Sequence, residues 1–263
     1  MNTLRFDALI ALAGDEGPFD YFMAPALQHT PHIVAADGGV AVVLKRDFVP
    51  QMVVGDGDSM SLEDRNQLKE STFLLSFPSD KDFTDGELAT AAAVLLSFGD
   101  DPLLYGGDGG HKLYQAFNAY CDLSGKSYLF LNYTGLRHDH QLANIALARL
   151  LAKRGAEVYL TDGTTMARIV TGPQSLDNVF LPHIFDQARQ DMPATRFLFS
   201  AIALDDEVTD LSLFGLLWTL EKVKLPYGRS LALSNRAEGL YPDQVRAKIL
   251  RGTVMFFTFP ENL

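Results

Sequence analysis

Two aspartates, two glycines and a serine fall together at Gly55-Asp56-Gly57-Asp58-Ser59, directly after the β-branched pair Val53-Val54. Carboxylates one residue apart are hard oxygen ligands. With no cysteine or histidine beside them, they suit Mg²⁺ carrying a nucleotide's phosphates. The glycines would let a ligand approach the backbone closely. Ligands of an open α/β sheet bind just beyond the carboxyl ends of its strands, and this run sits there if residues 50–54 form a strand. Taken alone, the run also reads as an acidic loop capping the next helix.

The pattern recurs along the chain. Asp37-Gly38-Gly39 follows the apolar run His32–Ala36, and Asp82 and Asp85 follow Phe73–Phe77. Thr84 and Glu87 have capping-box spacing, which puts Asp85 in the first turn of an apolar helix running to Phe98. Arg137 and Asp139 follow Ser127–Leu131, at the junction with a helix from Gln141 to about Lys153. Leu142, Ile145, Leu150 and Leu151 mark the expected buried side of that helix. An arginine at a strand end suits a phosphoryl group, being planar, charged and bidentate; Arg137 with Asp139 reads equally as a surface pair. His138 and His140 stand among carboxylates with no cysteine near, an unpromising zinc donor set. Each cluster has a bland explanation in helix capping. Four on one sheet edge repel one another without a cation, which points to a metal–nucleotide site for phosphoryl-type transfer.

The elements that must position these residues alternate strand and helix through the first 160 residues, predicting a doubly wound, mainly parallel α/β sheet. The first strand lacks a GxGxxG turn and the chain has no GxxxxGK[ST] loop, so neither a dinucleotide fold nor a P-loop is read. Pro102–Tyr105 and His111–Asp122 read as an added strand and helix. Beyond residue 155 short strands dominate, at 157–160, 166–170, 196–199, 230–233 and 253–257, predicting a second, mainly antiparallel β domain. The expected domains are 1–155 and 156–263. In the second, Trp218 reads as a core residue or as a flat wall for an aromatic ligand, and Ser234-Asn235 as a turn whose side chains can also bond a heterocycle.

The 263 residues are 47% hydrophobic and 21% charged, a globular composition. No apolar run approaches the ~18 residues of a membrane span, and the N-terminus lacks a signal-peptide pattern. The single cysteine, Cys121, excludes an internal disulfide framework and predicts a cytoplasmic setting. A net charge of −11 argues against nucleic-acid binding and favours a cationic co-substrate.

The ordered set Ala36–Gly39, Gly55–Ser59, Asp82-Phe83-Thr84-Asp85, Gly135–His140 with Leu142-Ala143-Asn144, Gly215–Trp218 and Leu233-Ser234-Asn235 resembles the thiamine pyrophosphokinase family. The resemblance implies an ATP-binding α/β domain followed by an all-β sandwich domain, in a homodimer with active sites at the interface, moving a pyrophosphoryl group from ATP to thiamine and releasing AMP. It implies Mg²⁺ on Asp56, Asp58 and Asp85, with Arg137 and Asp139 completing the catalytic set. ATP would lie beside Asp37, Gly38, Asp82, Thr84, Arg137 and His140, and thiamine against Trp218, Ser234 and Asn235. Two departures stand out. Gly57 replaces the usual small apolar or aromatic residue, and the extra unit at 101–125 interrupts the family pattern. The neighbouring readings are a pyrophosphokinase acting on 6-hydroxymethylpterin and a non-catalytic nucleotide- or thiamine-binding module.

Overall fold

A computed structural model describes residues 5–191 and 193–262. In chain order it contains β1 (Ala8–Ala11), α1 (Met23–Leu27), β2 (His32–Ala36), α2 (Val40–Leu44), β3 (Met52–Gly55), α3 (Leu62–Gln67), β4 (Phe73–Ser76), α4 (Asp85–Phe98), α5 (His111–Ala119), β5 (Ser127–Leu131) and α6 (His138–Lys153). There follow β6 (Glu157–Thr161), β7 (Met166–Thr171), β8 (Gln174–Leu176), α7 (Asp186–Asp191), β9 (Phe197–Ala203), β10 (Glu207–Phe214), β11 (Leu220–Pro226), β12 (Asn235–Arg236), β13 (Arg246–Ile249) and β14 (Thr253–Pro260).

Among the described residues, ten strands form one sheet in the order β12-β9-β14-β7-β6-β5-β1-β2-β3-β4. From β6 to β4 neighbouring strands are parallel; β6 and β7 are antiparallel, as are the strands beyond. The parallel part is doubly wound, as expected. Leu9, Ala11 and Ile33 face α1 and α2, while Ala8, Ile10 and Val34 face α4, α5 and α6. Strand order turns between β1 and β5, with β2, β3 and β4 to one side and β6 to the other, so the loops after β1 and β5 diverge there.

The second sheet, β11-β10-β13-β8, is antiparallel. Its Val208, Leu211, Leu213, Ala247 and Ile249 share a buried core with Phe199, Ala201, Ala203, Val254 and Phe256 of the long sheet. This is the expected β-sandwich. One sheet runs unbroken through residues 155–156, because β6 pairs in parallel with β5 from Ser127↔Glu157 to Leu131↔Thr161.

Local sequence explains α4 well. Thr84 Oγ1 accepts from the Glu87 amide at 3.1 Å, and the Glu87 carboxylate accepts from the Thr84 amide at 2.8 Å. The helix buries Leu88 through Leu95 and ends at Gly99 in the left-handed conformation.

Three expectations fail. Pro102–Tyr105 is a 3-10 helix, not a strand: Asp101 accepts from the Leu103 amide at 3.0 Å and Pro102 fills its first turn. Residues 230–233 form a turn rather than a strand, closed by the Leu233 amide on the Ser230 carbonyl at 3.2 Å. Its leucines, Leu231 and Leu233, are exposed. Leu142 is exposed too, because α6 buries Leu147, Ala148, Leu151 and Ala152, while its first turns overhang a cleft.

Candidate active site

That cleft has a volume of about 380 Å³ and opens at the point where strand order turns. Its walls are the loops after β1 (Leu12–Asp15), β2 (Asp37, Gly38) and β5 (Asn132–Arg137), the start of α4 (Thr84–Gly86), and His140, Gln141 and Asn144 of α6. Six of the sequence-derived candidates therefore line one space: Asp37, Gly38, Thr84, Asp85, Arg137 and His140.

Asp37 is almost wholly buried, at 3% exposure. Its Oδ2 accepts from the Ser59 amide at 2.8 Å, tying the loop after β2 to the one after β3. Its Oδ1 is buried and accepts no hydrogen bond. Carboxylate oxygens of Asp37, Asp56 and Asp58 lie within 4.8 Å of one another. An all-carboxylate donor set with an unsatisfied buried oxygen fits a hard divalent cation. Asp37 lies in this group with Asp56 and Asp58, whereas sequence reading set it only in the ATP site.

Asp85 lies beside Asp37 across Gly55, and Lys81 bridges Asp85 and Asp56. The Lys81 side chain is only 5% exposed, and its Nζ is 3.1 Å from Asp85 Oδ1 and 3.7 Å from Asp56 Oδ2. Sequence reading passed over Lys81, the one base in the run from Asp80 to Asp85. Its signal was a lysine four residues before Asp85 beside an acidic strand end.

The pKa directions follow from this packing. Burial raises Asp37, as do Asp56 and Asp58, against the opposing Ser59 bond. Burial also raises Asp85, which Lys81 partly offsets. Asp56 is lowered, chiefly by the Asp58 amide donating to its Oδ1 at 3.2 Å, with help from Ser79 and Lys81.

Glycine is required at two positions here. At Gly55 a Cβ would lie 2.9 Å from the Asp37 Cβ and 3.2 Å from the Asp85 Cγ, so a side chain there would force the two carboxylates apart. Gly57 has φ 79° with open space around it, so backbone conformation rather than crowding selects glycine between the aspartates.

Other candidates lie elsewhere. Asp82 is exposed and sits 3.4 Å from His111 Nε2 of α5. Asp139 pairs with Arg137 at 2.8 Å on the surface, which holds the Asp139 carboxyl well below its usual range. Trp218, Ser234 and Asn235 belong to the β-sandwich, and none of them lines the cleft. Asn235 is buried: its Oδ1 accepts from the Trp218 amide at 3.2 Å and its Nδ2 donates to the Trp218 carbonyl at 2.8 Å. It therefore holds the Trp218 backbone, leaving the indole about half exposed beside Leu217.

The extra unit packs on the site from behind. Phe83, within the Asp82–Asp85 motif, stacks on Tyr114 at 4.6 Å and meets His111 edge-on at 5.2 Å.

Solved structures share this architecture. Thiamin pyrophosphokinase from Candida albicans aligns over 98% of this chain and 93% of its own, with TM-score 0.74 and 17% identity. The yeast enzyme covers 98% and 87% with TM-score 0.71 and 14% identity. That of Bacillus subtilis covers 97% and 99% with TM-score 0.65 and 16% identity. No curated protein matches the chain in sequence. Fold, site and family match together define an enzyme, a diphosphotransferase. Residues 23–160, more than half of the chain, match the catalytic-domain model of thiamin pyrophosphokinase. The chain belongs to the thiamin pyrophosphokinase family.

Proposed function

We propose that the enzyme transfers a pyrophosphoryl group from Mg²⁺–ATP to the hydroxyl of thiamine, giving thiamine diphosphate and AMP. The observation that carries this reading is the carboxylate group of Asp37, Asp56 and Asp58, in which Asp37, with its orphaned Oδ1, also lines the strand-end cleft. Asp37, Asp56 and Asp58 would hold the metal, with Asp85 beside them. Bound there, Mg²⁺ supplies positive charge against the triphosphate. The hydroxyl oxygen bonds to the β-phosphorus, the bond from that phosphorus to the α–β bridging oxygen breaks, and AMP leaves with the bridging oxygen. The hydroxyl proton is released.

The chain's residues bind and orient. Arg137, at the start of α6 on the cleft wall, is the planar donor for phosphate; Thr84 and His140 add polar groups, and Gly38 allows close approach. Asp139 acts by holding Arg137, and Asp82 marks the outer edge of the motif.

The division of labour we propose is residues 1–155 for ATP and 156–263 for thiamine. Trp218 offers the cationic thiamine rings a flat exposed face, with Ser234 and Asn235 framing it. These three stand outside the chain's own cleft. With Leu217, Leu231 and Leu233 also exposed, this supports a homodimer in which one protomer's sandwich completes its partner's cleft. A cytoplasmic setting is proposed from the single free cysteine, Cys121. Among the described residues, no helix is long and apolar enough to cross a membrane.

The test is incubation with Mg²⁺–ATP and thiamine, with nucleotide products resolved by chromatography. Thiamine diphosphate and AMP in equal amounts are expected. ADP as product would overturn the pyrophosphoryl step, and turnover of 6-hydroxymethylpterin without turnover of thiamine would reassign the acceptor. Binding without turnover would leave a non-catalytic module.

A further inference from the structure

A buried lysine among metal-binding carboxylates is a costly arrangement unless its charge has a purpose. The Lys81 side chain is out of solvent and, among the described residues, its ammonium is within ion-pair distance of Asp85 and Asp56 only. Asp56 is shared, because its carboxylate belongs both to this pair and to the Asp37–Asp56–Asp58 group. The two arrangements compete. A divalent ion on Asp56 would face the Lys81 ammonium across a few ångströms of poorly solvated space, and like charges there repel strongly.

We propose that Lys81 is the built-in counter-cation of the metal-free site, and that it makes the site a poor ligand for free Mg²⁺ while admitting Mg²⁺ that arrives with phosphate. The inference rests on the metal–nucleotide reading above. Without metal, Lys81 neutralises part of the charge of four clustered carboxylates and keeps Asp56 and Asp85, from separate strand ends, at their working separation. Free Mg²⁺ on Asp56 would take that carboxylate from the ammonium and leave it buried with Asp85 alone, facing a divalent charge. A metal–nucleotide complex brings anionic oxygens that accept hydrogen bonds from the ammonium in exchange. Lys81 thereby couples metal affinity to the presence of a phosphate group.

Calorimetric titration of the full-length protein with MgCl₂ alone, and then with MgCl₂ plus inorganic pyrophosphate, tests this. In Lys81→Met, free Mg²⁺ is expected to bind at least tenfold tighter than in the wild type, and pyrophosphate to enhance Mg²⁺ binding much less. Lys81→Arg, which keeps the charge, should behave like the wild type. In thermal melts, Mg²⁺ alone should raise the melting temperature of Lys81→Met more than that of the wild type. A lysine that merely staples the loop predicts the reverse: a disordered site with weaker Mg²⁺ binding. Unchanged or weaker affinity in Lys81→Met overturns the proposal. If that variant does not fold, Lys81→Gln serves in the same titration. If neither folds, the wild type decides, since equal Mg²⁺ affinity with and without pyrophosphate overturns the coupling. None of these titrations requires turnover, so failure of the thiamine assay and failure of this inference remain separate outcomes.

Discussion

Replacing Asp37 with asparagine separates what the acidic cluster does for catalysis from what it does to stability. The backbone is indifferent to the change: Asp37 has φ 38°, a left-handed conformation in which asparagine and aspartate are both at home. The bond from the Ser59 amide survives, since the amide oxygen can take the place of Oδ2. Oδ1, which has no partner, becomes an NH₂ group on a side chain that lies close to Asp56 and Asp58. Two carboxylate repulsions, over separations of up to 4.8 Å, become attractive contacts. Each repulsion is worth about 1 kcal/mol at the dielectric of water and about 3.5 kcal/mol at an effective dielectric of 20. Exposure of Asp58 screens its share, while the Asp56 side chain is only 12% exposed; with that screening Asp37→Asn should stabilise the metal-free protein by about 1–3 kcal/mol. For a chain of this size that is a rise of about 2–12 °C in melting temperature.

The pH dependence has a definite sign. Burial raises the Asp37 carboxyl above its ordinary value of 3.8. Between that value and the raised one, the folded state holds a proton that the unfolded state has released, so the wild type loses stability as pH rises through the window. Asp37→Asn has no such loss. Its advantage should be full above the folded-state pKa and vanish below 3.8. The assay is thermal melting in EDTA across this pH range, repeated with Mg²⁺ plus pyrophosphate, which should raise the wild-type melting temperature and leave the variant little changed. Turnover should fall by about 10²-fold or more with the loss of a charged ligand. A variant that melts below the wild type in EDTA at neutral pH would refute the reasoning, since Asp37 would then be a structural anion.

Further predictions bear on the geometry around the cluster. Gly55→Ala places a methyl 2.9 Å from the Asp37 Cβ, so stability should fall by about 1–3 kcal/mol and turnover by about 10²-fold; near-normal turnover would show that Asp37 and Asp85 need not be held at this distance. Arg137→Lys should leave the melting temperature unchanged, because its Asp139 partner is a surface contact, but raise the KM for ATP about tenfold; an unaltered KM would remove Arg137 from the phosphate site. Tyr114→Ala takes away the ring stacked on Phe83 and should lower turnover and speed amide exchange at residues 80–86, with Tyr114→Phe restoring both. Protection unchanged in Tyr114→Ala would mean that the extra unit does not brace the motif. Trp218→Ala should raise the KM for thiamine about tenfold with little change in melting temperature, since the indole is 55% exposed; loss of stability instead would make Trp218 a core residue.

Strands and their ends were legible because the information is local. β2 and β5 coincide with the apolar runs His32–Ala36 and Ser127–Leu131, and the Thr84–Glu87 capping box depends on residues three apart. Aspartates just after such runs could be placed at a sheet edge without knowing the sheet. Local apolarity misled where burial depends on a distant partner. Leu231 and Leu233 look like strand residues, but a turn holds them in solvent. Pro102–Tyr105 is apolar enough for a strand, yet the Asp101 cap winds it into a 3-10 helix against α4.

The sequence by itself determined the acidic residues, their places beyond the strands, and the glycines that leave room between them, since each follows from the residue and its immediate neighbours. Only the tertiary structure decided which carboxylates meet. The parallel register of β2, β3 and β4 sets the loops carrying Asp37, Asp56 and Lys81 side by side. The turn in strand order between β1 and β5 opens the cleft in which Asp85 and Arg137 face Asp37. Lys81 shows the difference most plainly. Along the chain it is one charged residue four positions before Asp85; folded, it is a buried cation shared with a second anion, Asp56, from a neighbouring strand end 25 positions away.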